Sequence, residues 1–337
     1  MTTTSQPRSF LFTTVALSLL ALIAPAGASA KGGGIRDVDA ELDGGTLLVG
    51  GGDRPNSLAL RLKAGDPAQI QLDVGDNGSA DFSFARGDVD AISVRMGNGR
   101  DSVRIDDANG AFTDSIPTTI AGGNGNDSLS GGAGVEAFSG GNGDDLVDGG
   151  RGNDRADLGR GDDTFRWDPG EGSDAIEGDS GSDTMLFNGA AGGETVDMSA
   201  NGGRLIFFRQ PGNVTMNTAG VEVVDFNALG GPDSITVNDL SGTDVTQTNL
   251  DLAGAPGGSV ADGLVDSVVV NGTAGADNID IAGNGSGADV TGLATAVSVS
   301  HADPTDTLSV NTLGGGGSVQ ANGVAGVLQV LVDGLPV

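Results

Sequence analysis

A strict nine-residue period in the middle of the chain limits its fold more than any other feature. Written in nines, residues 122–166 and 169–186 give seven copies, with Trp167 and Asp168 inserted after the fifth. The copies read GGNGNDSLS, GGAGVEAFS, GGNGDDLVD, GGRGNDRAD, LGRGDDTFR, PGEGSDAIE and GDSGSDTML. A tandem repeat of this kind predicts a solenoid, in which each unit buries its apolar residues against the next coil.

Two positions of the repeat keep the same chemistry in every copy. The sixth position is always an acid: Asp127, Glu136, Asp145, Asp154, Asp163, Asp174 and Asp183. The eighth is always apolar: Leu129, Phe138, Val147, Ala156, Phe165, Ile176 and Met185. Glycines at positions one, two and four allow positive φ and a sharp turn with inward carbonyls. The three residues after the acid are too few for an independent strand, so each copy is predicted to form one rung of a parallel stack.

Short strands are also predicted on both sides of the repeats. Apolar residues alternate with period two in runs such as Leu58-x-Leu60-x-Leu62 and Ile235-x-Val237, which is the strand period. A unit of turn, Asp and strand returns along the chain, as in DSITV at Asp233 and DNIDI at Asp277. This pattern favours further solenoid coils, and a β-sandwich stays open as the alternative for the C-terminal part.

The N-terminus has the pattern of a secretory signal peptide. Arg8 precedes a mostly apolar run over residues 10–23, and Ala28-Ser29-Ala30 fits a small-x-small cleavage site. The alternative is a membrane anchor, but the run is shorter than the ~20 residues that a span needs. We therefore predict cleavage after Ala30, secretion, and no membrane span in the mature protein.

The net charge of the chain indicates which classes of partner it can bind. The net charge is −30, and removing residues 1–30 removes Arg8 and no acid, which gives −31. Such a chain is not expected to bind nucleic acid or anionic lipid, because both are negatively charged. It is expected to bind cations. The chain has no Cys, which excludes disulfides and thiolate metal sites.

The seven copies resemble the RTX, or hemolysin-type, calcium-binding repeat GGxGxDxUx of secreted bacterial proteins. The resemblance implies an all-β fold, a right-handed parallel β-helix or β-roll solenoid with irregular flanking β coils. In this family two successive repeats form one coil, and each Ca²⁺ lies between turns of neighbouring coils. The expected organisation is a signal peptide at 1–30, degenerate β-solenoid at 31–120, the nonapeptide β-roll at 121–187 and a degenerate β-solenoid at 188–337.

The resemblance also implies the ligands. Repeat n would share an ion with repeat n+2, so Asp127 would act with Asp145, Asp145 with Asp163, and Glu136 with Asp154. Asp154 with Asp174 and Asp163 with Asp183 would follow across the insertion. The shells would be completed by the carbonyl oxygens of Gly122, Asn124, Gly140, Asn142, Gly149 and Arg151. Glu136 departs from the pattern, so its site is expected to be the first to fail. Asp233 and Asp277 are interpreted as structural turns first, with calcium binding left open.

The negative charge of the repeat block predicts that its folding depends on a bound metal. Residues 122–186 contain fifteen acids and four arginines. Stacking their turns without cations would bring carboxylates together in a partly dry site. We therefore expect this block to fold as Ca²⁺ binds, in a structural or adhesive protein with cell-surface or matrix components as partners. The alternative is a β-helical enzyme acting on extracellular polysaccharide. A single histidine, His301, and no Tyr leave few general acids or bases, so we expect no enzyme.

Overall fold

A computed structural model describes residues 37–337 of the protein, which belong to one compact unit. The predicted signal peptide and its cleavage after Ala30 lie outside the described residues. Within the described part the chain is built from β-strands, with two 3₁₀ turns at Arg86–Asp88 and Asp107–Asn109 and no α-helix. This confirms the all-β prediction. The predicted boundaries at 121 and 187 stay predictions.

The strands follow one another at short intervals. The first fifteen are β1 (Asp39–Asp43), β2 (Thr46–Gly50), β3 (Ser57–Lys63), β4 (Asp66–Val74), β5 (Phe82–Ala85), β6 (Ala91–Asn98), β7 (Ser102–Asp106), β8 (Thr118–Asn124), β9 (Ser128–Ser130), β10 (Glu136–Asn142), β11 (Leu146–Asp148), β12 (Arg155–Arg160), β13 (Thr164–Trp167), β14 (Ala175–Ser180) and β15 (Thr184–Asn188). The rest are β16 (Thr195–Asn201), β17 (Arg204–Gln210), β18 (Val214–Ala219), β19 (Val223–Asn227), β20 (Ser234–Val237), β21 (Gln247–Asp251), β22 (Ser267–Asn271), β23 (Asn278–Gly283), β24 (Ala288–Thr291), β25 (Ala296–Ser300), β26 (Thr307–Asn311), β27 (Ser318–Asn322), β28 (Gln329–Val332) and β29 (Leu335–Pro336).

The strands form two long sheets. Sheet 1 has the order β1-β2-β6-β8-β10-β12-β14-β18-β17-β16-β20-β22-β26-β28-β29. Sheet 2 has the order β27-β23-β24-β25-β21-β19-β15-β13-β11-β9-β7-β3-β4-β5. From β6 to β15 the chain alternates between the two sheets, and each strand pairs in parallel with the strand two further along. This is the arrangement of a β-roll, with two nonapeptides in each coil.

The pairing register follows the nine-residue period. Leu129 lies opposite Val147, and Val147 opposite Phe165, so one coil takes two repeats. The inserted Trp167 and Asp168 lengthen the next coil by two residues, and Phe165 then pairs with Met185. Trp167 extends β13 and Asp168 begins the connection to β14, so parallel pairing continues on both sides of the insertion.

The core lies between the sheets and contains the eighth position of every copy. Leu129, Phe138, Val147, Ala156, Phe165, Ile176 and Met185 are all 3% exposed or less. Trp167 is fully buried and stacks on Phe187 at 4.0 Å between ring centroids. Its indole N–H donates to the carbonyl oxygen of Gly172, which ties the insertion to the next turn. The prediction that each repeat supplies one core rung is confirmed.

The flanking regions continue the two sheets but interrupt them with antiparallel strands. Three meanders, β3-β4-β5, β16-β17-β18 and β23-β24-β25, are inserted between parallel coils. Parallel pairing resumes after the last two of them, as in β20 with β22 and β22 with β26. The C-terminal part therefore shares the two sheets of the repeats and is not a separate sandwich.

The first strand of sheet 1 has an unusual composition for a β-strand. β1 reads DAELD, and Asp39, Glu41 and Asp43 are exposed. It pairs antiparallel with β2 and has no further neighbour within the described residues. The edge of sheet 1 is thus a short acidic strand.

Candidate metal centre

The sixth-position acids form two ladders, one at the N-terminal ends of the strands of each sheet. The first acid ladder contains Asp127, Asp145, Asp163 and Asp183. The backbone N–H of each of the first three donates to Oδ1 of the next, at 2.7, 2.7 and 2.9 Å. These bonds stack the turn of repeat n on that of repeat n+2, in the order that the resemblance implied.

The second acid ladder contains Glu136, Asp154 and Asp174 and precedes the strands of sheet 1. The N–H of Glu136 donates to Asp154 Oδ1 at 2.7 Å, and the N–H of Asp154 donates to Asp174 Oδ1 at 2.8 Å. The latter bond crosses the two-residue insertion. All seven predicted acids therefore lie in stacked turns, and the structure brings together every predicted pair. Their role as metal ligands stays a prediction.

Each of these acids keeps one buried oxygen without a hydrogen-bond partner. The seven side chains belong to residues that are 3% exposed or less. The unpartnered atoms are Oδ2 of Asp127, Asp145, Asp154, Asp163, Asp174 and Asp183, and Oε1 of Glu136. A buried carboxylate oxygen without a partner is costly, because it has lost water and gained no bond. A repeated row of such oxygens is typical of a site that a cation completes.

The first glycine of the turn leaves space for these oxygens. A Cβ on Gly140 would lie 2.5 Å from Asp145 Oδ2 and would also overlap the carbonyl oxygen of Leu158 in the next coil. A Cβ on Gly149 would lie 2.7 Å from Asp154 Oδ2. A carboxylate oxygen therefore lies over each of these glycines, and at Gly140 a main-chain oxygen from the neighbouring coil joins it. Any larger residue would fill this oxygen-lined cradle.

Burial raises the pKa of the carboxyl groups in both ladders, because a low-polarity environment disfavours the charged form. The pKa of Asp145 is raised to about 7, first by burial and then by the charges of Asp127 and Asp163. The pKa of Asp183 is raised to about 7 and that of Asp154 to about 9 by the same causes. The backbone hydrogen bonds lower these values and do not offset burial. Without a cation, the ladders favour protonated carboxyls.

The predicted carbonyl ligands are placed in the same turns. The carbonyl oxygens of Asn124 and Asn142 accept backbone N–H groups of the neighbouring coils, from Gly99 and Gly125, both at 2.7 Å. A carbonyl oxygen has two lone pairs, so each of these atoms still has one for a cation. The other four predicted carbonyls, of Gly122, Gly140, Gly149 and Arg151, belong to the stacked turns as well, and all six stay predicted ligands.

The structure adds Asp101 to the first acid ladder, although the sequence reasoning had read it only as one of the turn-Asp-strand units and not as a metal ligand. Residues 96–101, MGNGRD, stack on the first repeat, with Gly97 opposite Gly123 at φ values of +94° and +115°. Asp101 is 1% exposed and has an unpartnered Oδ2, and its N–H donates to Asp127 Oδ1 at 2.7 Å. The two glycines and the acid were a readable signal. Met96 at the first position and a coil of unequal length concealed it.

A second group of acids surrounds the insertion. Asp148, Asp168 and Glu171 each place a carboxylate oxygen within 4.8 Å of the others. Arg166 forms ion pairs with Asp148 and Asp168, so this cluster contains a cation of its own. Burial and the charges of Asp148 and Asp168 raise the pKa of Glu171 to about 8. The sequence reasoning did not single out these three residues.

The donor set of the ladders fits a hard divalent cation. Carboxylates and main-chain carbonyls are the ligands that Ca²⁺ takes, six to eight at a time, in flexible geometry. The ladders contain no His, and the chain has no Cys, which removes the ligands that Zn²⁺ prefers. The buried unpartnered oxygens and the glycine cradles are the observations that support this fit.

Comparison with known families agrees with this chemistry. Residues 118–147, 134–165 and 170–189 match the family described as "RTX calcium-binding nonapeptide repeat (4 copies)". A search among curated proteins finds no match. The fold and site thus define a calcium-binding repeat protein. More particularly, the chain carries RTX nonapeptide repeats, and the repeats of this family bind Ca²⁺.

Proposed function

We propose that this chain is a secreted structural protein whose β-roll folds when Ca²⁺ enters its stacked turns. The unpartnered, buried carboxylate oxygens of the two ladders carry the proposal. They lie in a block with fifteen acids and four arginines, so the folded turns need added positive charge. Calcium binding free energy would then be folding free energy, as in other small metal-dependent modules.

Secretion would couple this folding to the environment. Extracellular calcium modules bind at roughly 10⁻⁴–10⁻³ M, a concentration that the cytosol does not reach. A chain that leaves the cell unfolded and meets calcium outside would fold at its place of work. The signal-like pattern of residues 1–30 supports this route. Among residues 37–337 no helix is long and apolar enough to cross a membrane.

A role in a matrix, a surface layer or adhesion suits these features. Folded repeats with regular edges and a high negative charge offer an extended surface to other cell-surface or matrix components through shared cations. An enzyme acting on polysaccharide would need an exposed aromatic platform beside clustered acids, and Trp167 is fully buried in the core. The open groove beside Gly230 has Asp262 as its one titratable lining residue.

The test is far-UV circular dichroism of the chain from Lys31, first in calcium-depleted buffer and then in millimolar Ca²⁺. We expect β-structure to appear with calcium, at a midpoint in the range of extracellular concentrations. Millimolar Mg²⁺ is the control, because its octahedral geometry suits these turns less well. The same β content with and without calcium would contradict the proposal.

A further inference from the structure

A third row of stacked acids lies after the matched repeats. The downstream ladder contains Glu194, Asp233, Asp266 and Asp306, which precede strands β16, β20, β22 and β26 of sheet 1. The N–H of each of the first three donates to a carboxylate oxygen of the next, at 2.7, 2.8 and 2.9 Å. All four residues are 3% exposed or less. Strands β18 and β17 lie between β14, at the end of the second acid ladder, and β16, at the start of this one.

The first turn of the downstream ladder reproduces the glycine cradle of the repeats, and the second turn supplies a carbonyl oxygen that covers it, although neither has the repeat sequence. Turn 189–194 reads GAAGGE and turn 228–233 reads ALGGPD. A Cβ on Gly189 would overlap Glu194 Oε2 and would lie 2.9 Å from the carbonyl oxygen of Ala228. In the repeats, Gly140 is covered in the same way by the acid of its own turn and a first-position carbonyl of the next coil.

Unpartnered oxygens mark these two turns as they mark the repeats. Glu194 Oε2 and Asp233 Oδ2 are buried and have no hydrogen-bond partner. Arg209 binds the other oxygen of Glu194, with its Nε 2.6 Å from Oε1. Oε2 is thus left facing the glycine cradle. The charged groups that act on Asp233 are Asp266, Glu194 and Asp262, all of them acids.

Asp277 provides the internal contrast. It occupies an equivalent turn-Asp-strand unit, before β23. Both of its oxygens are satisfied, because Thr273 donates its N–H to Oδ2 at 2.8 Å and its hydroxyl to Oδ1 at 2.9 Å. Asp277 closes its own turn and is not among the acids with a buried oxygen that lacks a partner. The sequence motif alone does not separate Asp233 from Asp277, but their hydrogen bonds do.

We propose that turns 189–194 and 228–233 hold an additional Ca²⁺, bound by Glu194 Oε2, Asp233 and the carbonyl oxygen of Ala228. The three ligands lie outside the residues that match the RTX repeats, and Gly189 is the last matched residue. Arg209 already pairs with Glu194, so a divalent cation would mainly balance the charge of Asp233 and of the acids around it. Oxygen donors are what Ca²⁺ selects. None of its three ligands belongs to the ladders of the repeats, so substitution of Asp233 tests this site separately from them.

Calcium stoichiometry by titration calorimetry of the chain from Lys31 tests the site. Asp233→Asn keeps the shape of the side chain and should bind one Ca²⁺ fewer than the wild type. Asp277→Asn is the matched control and should keep the full number. Asp145→Asn, measured in parallel, reports on the repeats alone. Wild-type stoichiometry in Asp233→Asn, with calcium lost in Asp145→Asn, would overturn this site and leave the function of the repeats standing.

A second measurement covers the case in which Asp233→Asn does not fold. Trp167 emission in saturating calcium shows whether the core beside Arg209 is formed, since this guanidinium lies 5.4 Å from the ring centroid. For the wild-type chain, crystals grown with Tb³⁺ in place of Ca²⁺ would locate the ions by anomalous scattering. A peak between turns 189–194 and 228–233 supports the site. Peaks confined to the turns of the nonapeptide repeats refute it.

Discussion

The backbone N–H of Asp127 donates a 2.7 Å hydrogen bond to Oδ1 of Asp145, eighteen residues further along the chain. This bond holds two neighbouring coils together and also fixes the carboxylate of Asp145. With Oδ1 engaged, Oδ2 is turned toward Gly140 and has no partner. The same contact therefore sets the stacking of the coils and prepares the oxygen that a cation would use.

Asp145 joins two turns, so its loss should affect two calcium sites. Its Oδ1 accepts from Asp127, and its own N–H donates to Asp163 at 2.7 Å. We expect Asp145→Asn to bind fewer Ca²⁺ than the wild type and to need more calcium to fold, as measured by calorimetry and circular dichroism. Asp144→Asn is the control, because Asp144 is exposed and next in sequence. Equal losses in the two variants would show that total charge, not the ladder, controls binding.

The calcium-free protein should be more stable in mild acid than in mild base. Unfolded Asp has a pKa of about 4, whereas burial raises the pKa of Asp127 to about 6 and that of Asp145 to about 7 in the fold. Between these values the folded state binds more protons, so the free energy of unfolding falls as the pH rises from about 4 to about 7. Since the repeats are expected to lack β-structure in calcium-depleted buffer near neutral pH, the β content in that buffer, compared at pH 5 and pH 8 by far-UV circular dichroism, measures this. Greater stability at pH 8 would contradict the raised pKa values.

Saturating calcium should reverse that dependence, because protons and Ca²⁺ compete for the same oxygens. The apparent calcium affinity should therefore rise with pH over the same window. Calorimetric titrations at pH 5 and pH 8 provide the comparison, and a pH-independent affinity would argue against the ladder carboxylates as ligands.

Gly140→Ala should close the cradle without altering charge. The added Cβ would meet Asp145 Oδ2 at 2.5 Å and the Leu158 carbonyl. Overpacking of this kind costs about 1–3 kcal/mol, and the displaced carboxylate should also bind calcium less well. Gly50→Ala is the control, because nothing lies within 4 Å of its Cβ position. Thermal unfolding in calcium should give a lower melting temperature for Gly140→Ala than for Gly50→Ala. Equal melting temperatures would show that the space over Gly140 is not needed.

The core rungs should matter as much as the ligands. Phe165 is fully buried between Val147 and Met185, so Phe165→Ala should cost about 3–5 kcal/mol of unfolding free energy in saturating calcium. Val135, in the weak second copy, is 64% exposed. Val135→Ala should stay within about 0.5 kcal/mol of the wild type. Chemical unfolding followed by Trp167 emission gives the unfolding free energies of both variants. Similar losses in the two would contradict the placement of Phe165 in the core.

The nine-residue period predicted that each repeat supplies one core residue, at its eighth position, and the resemblance to the RTX repeat implied that repeat n stacks on repeat n+2. It could not predict the meanders. Leu58-x-Leu60-x-Leu62 in β3 reads as a strand, but alternation does not say whether β4 returns antiparallel or continues as a coil. Direction depends on the turn at Gly65, whose φ of +74° is a property of the folded hairpin.

The residues of the candidate site could be predicted only in part, for a similar reason. Asp233 and Asp277 begin similar sequence motifs. Only the folded turns show that Thr273 hydrogen-bonds to Asp277, whereas Oδ2 of Asp233 has no partner. Asp101 belongs to the first acid ladder, but its coil has another length. Ligand types follow from composition and period. Which oxygens are left without a partner depends on contacts between coils that are distant in sequence.

The acidic strand β1 has a consequence for association between molecules. A stack of parallel coils ends in unpaired backbone groups, which are a template for adding another chain and growing a fibre. At the edge of sheet 1 that template is DAELD, with Asp39, Glu41 and Asp43 facing solvent. A second copy approaching this edge would meet like charges, and their repulsion would oppose end-to-end polymerisation. Divalent cations that screen these carboxylates would weaken the repulsion.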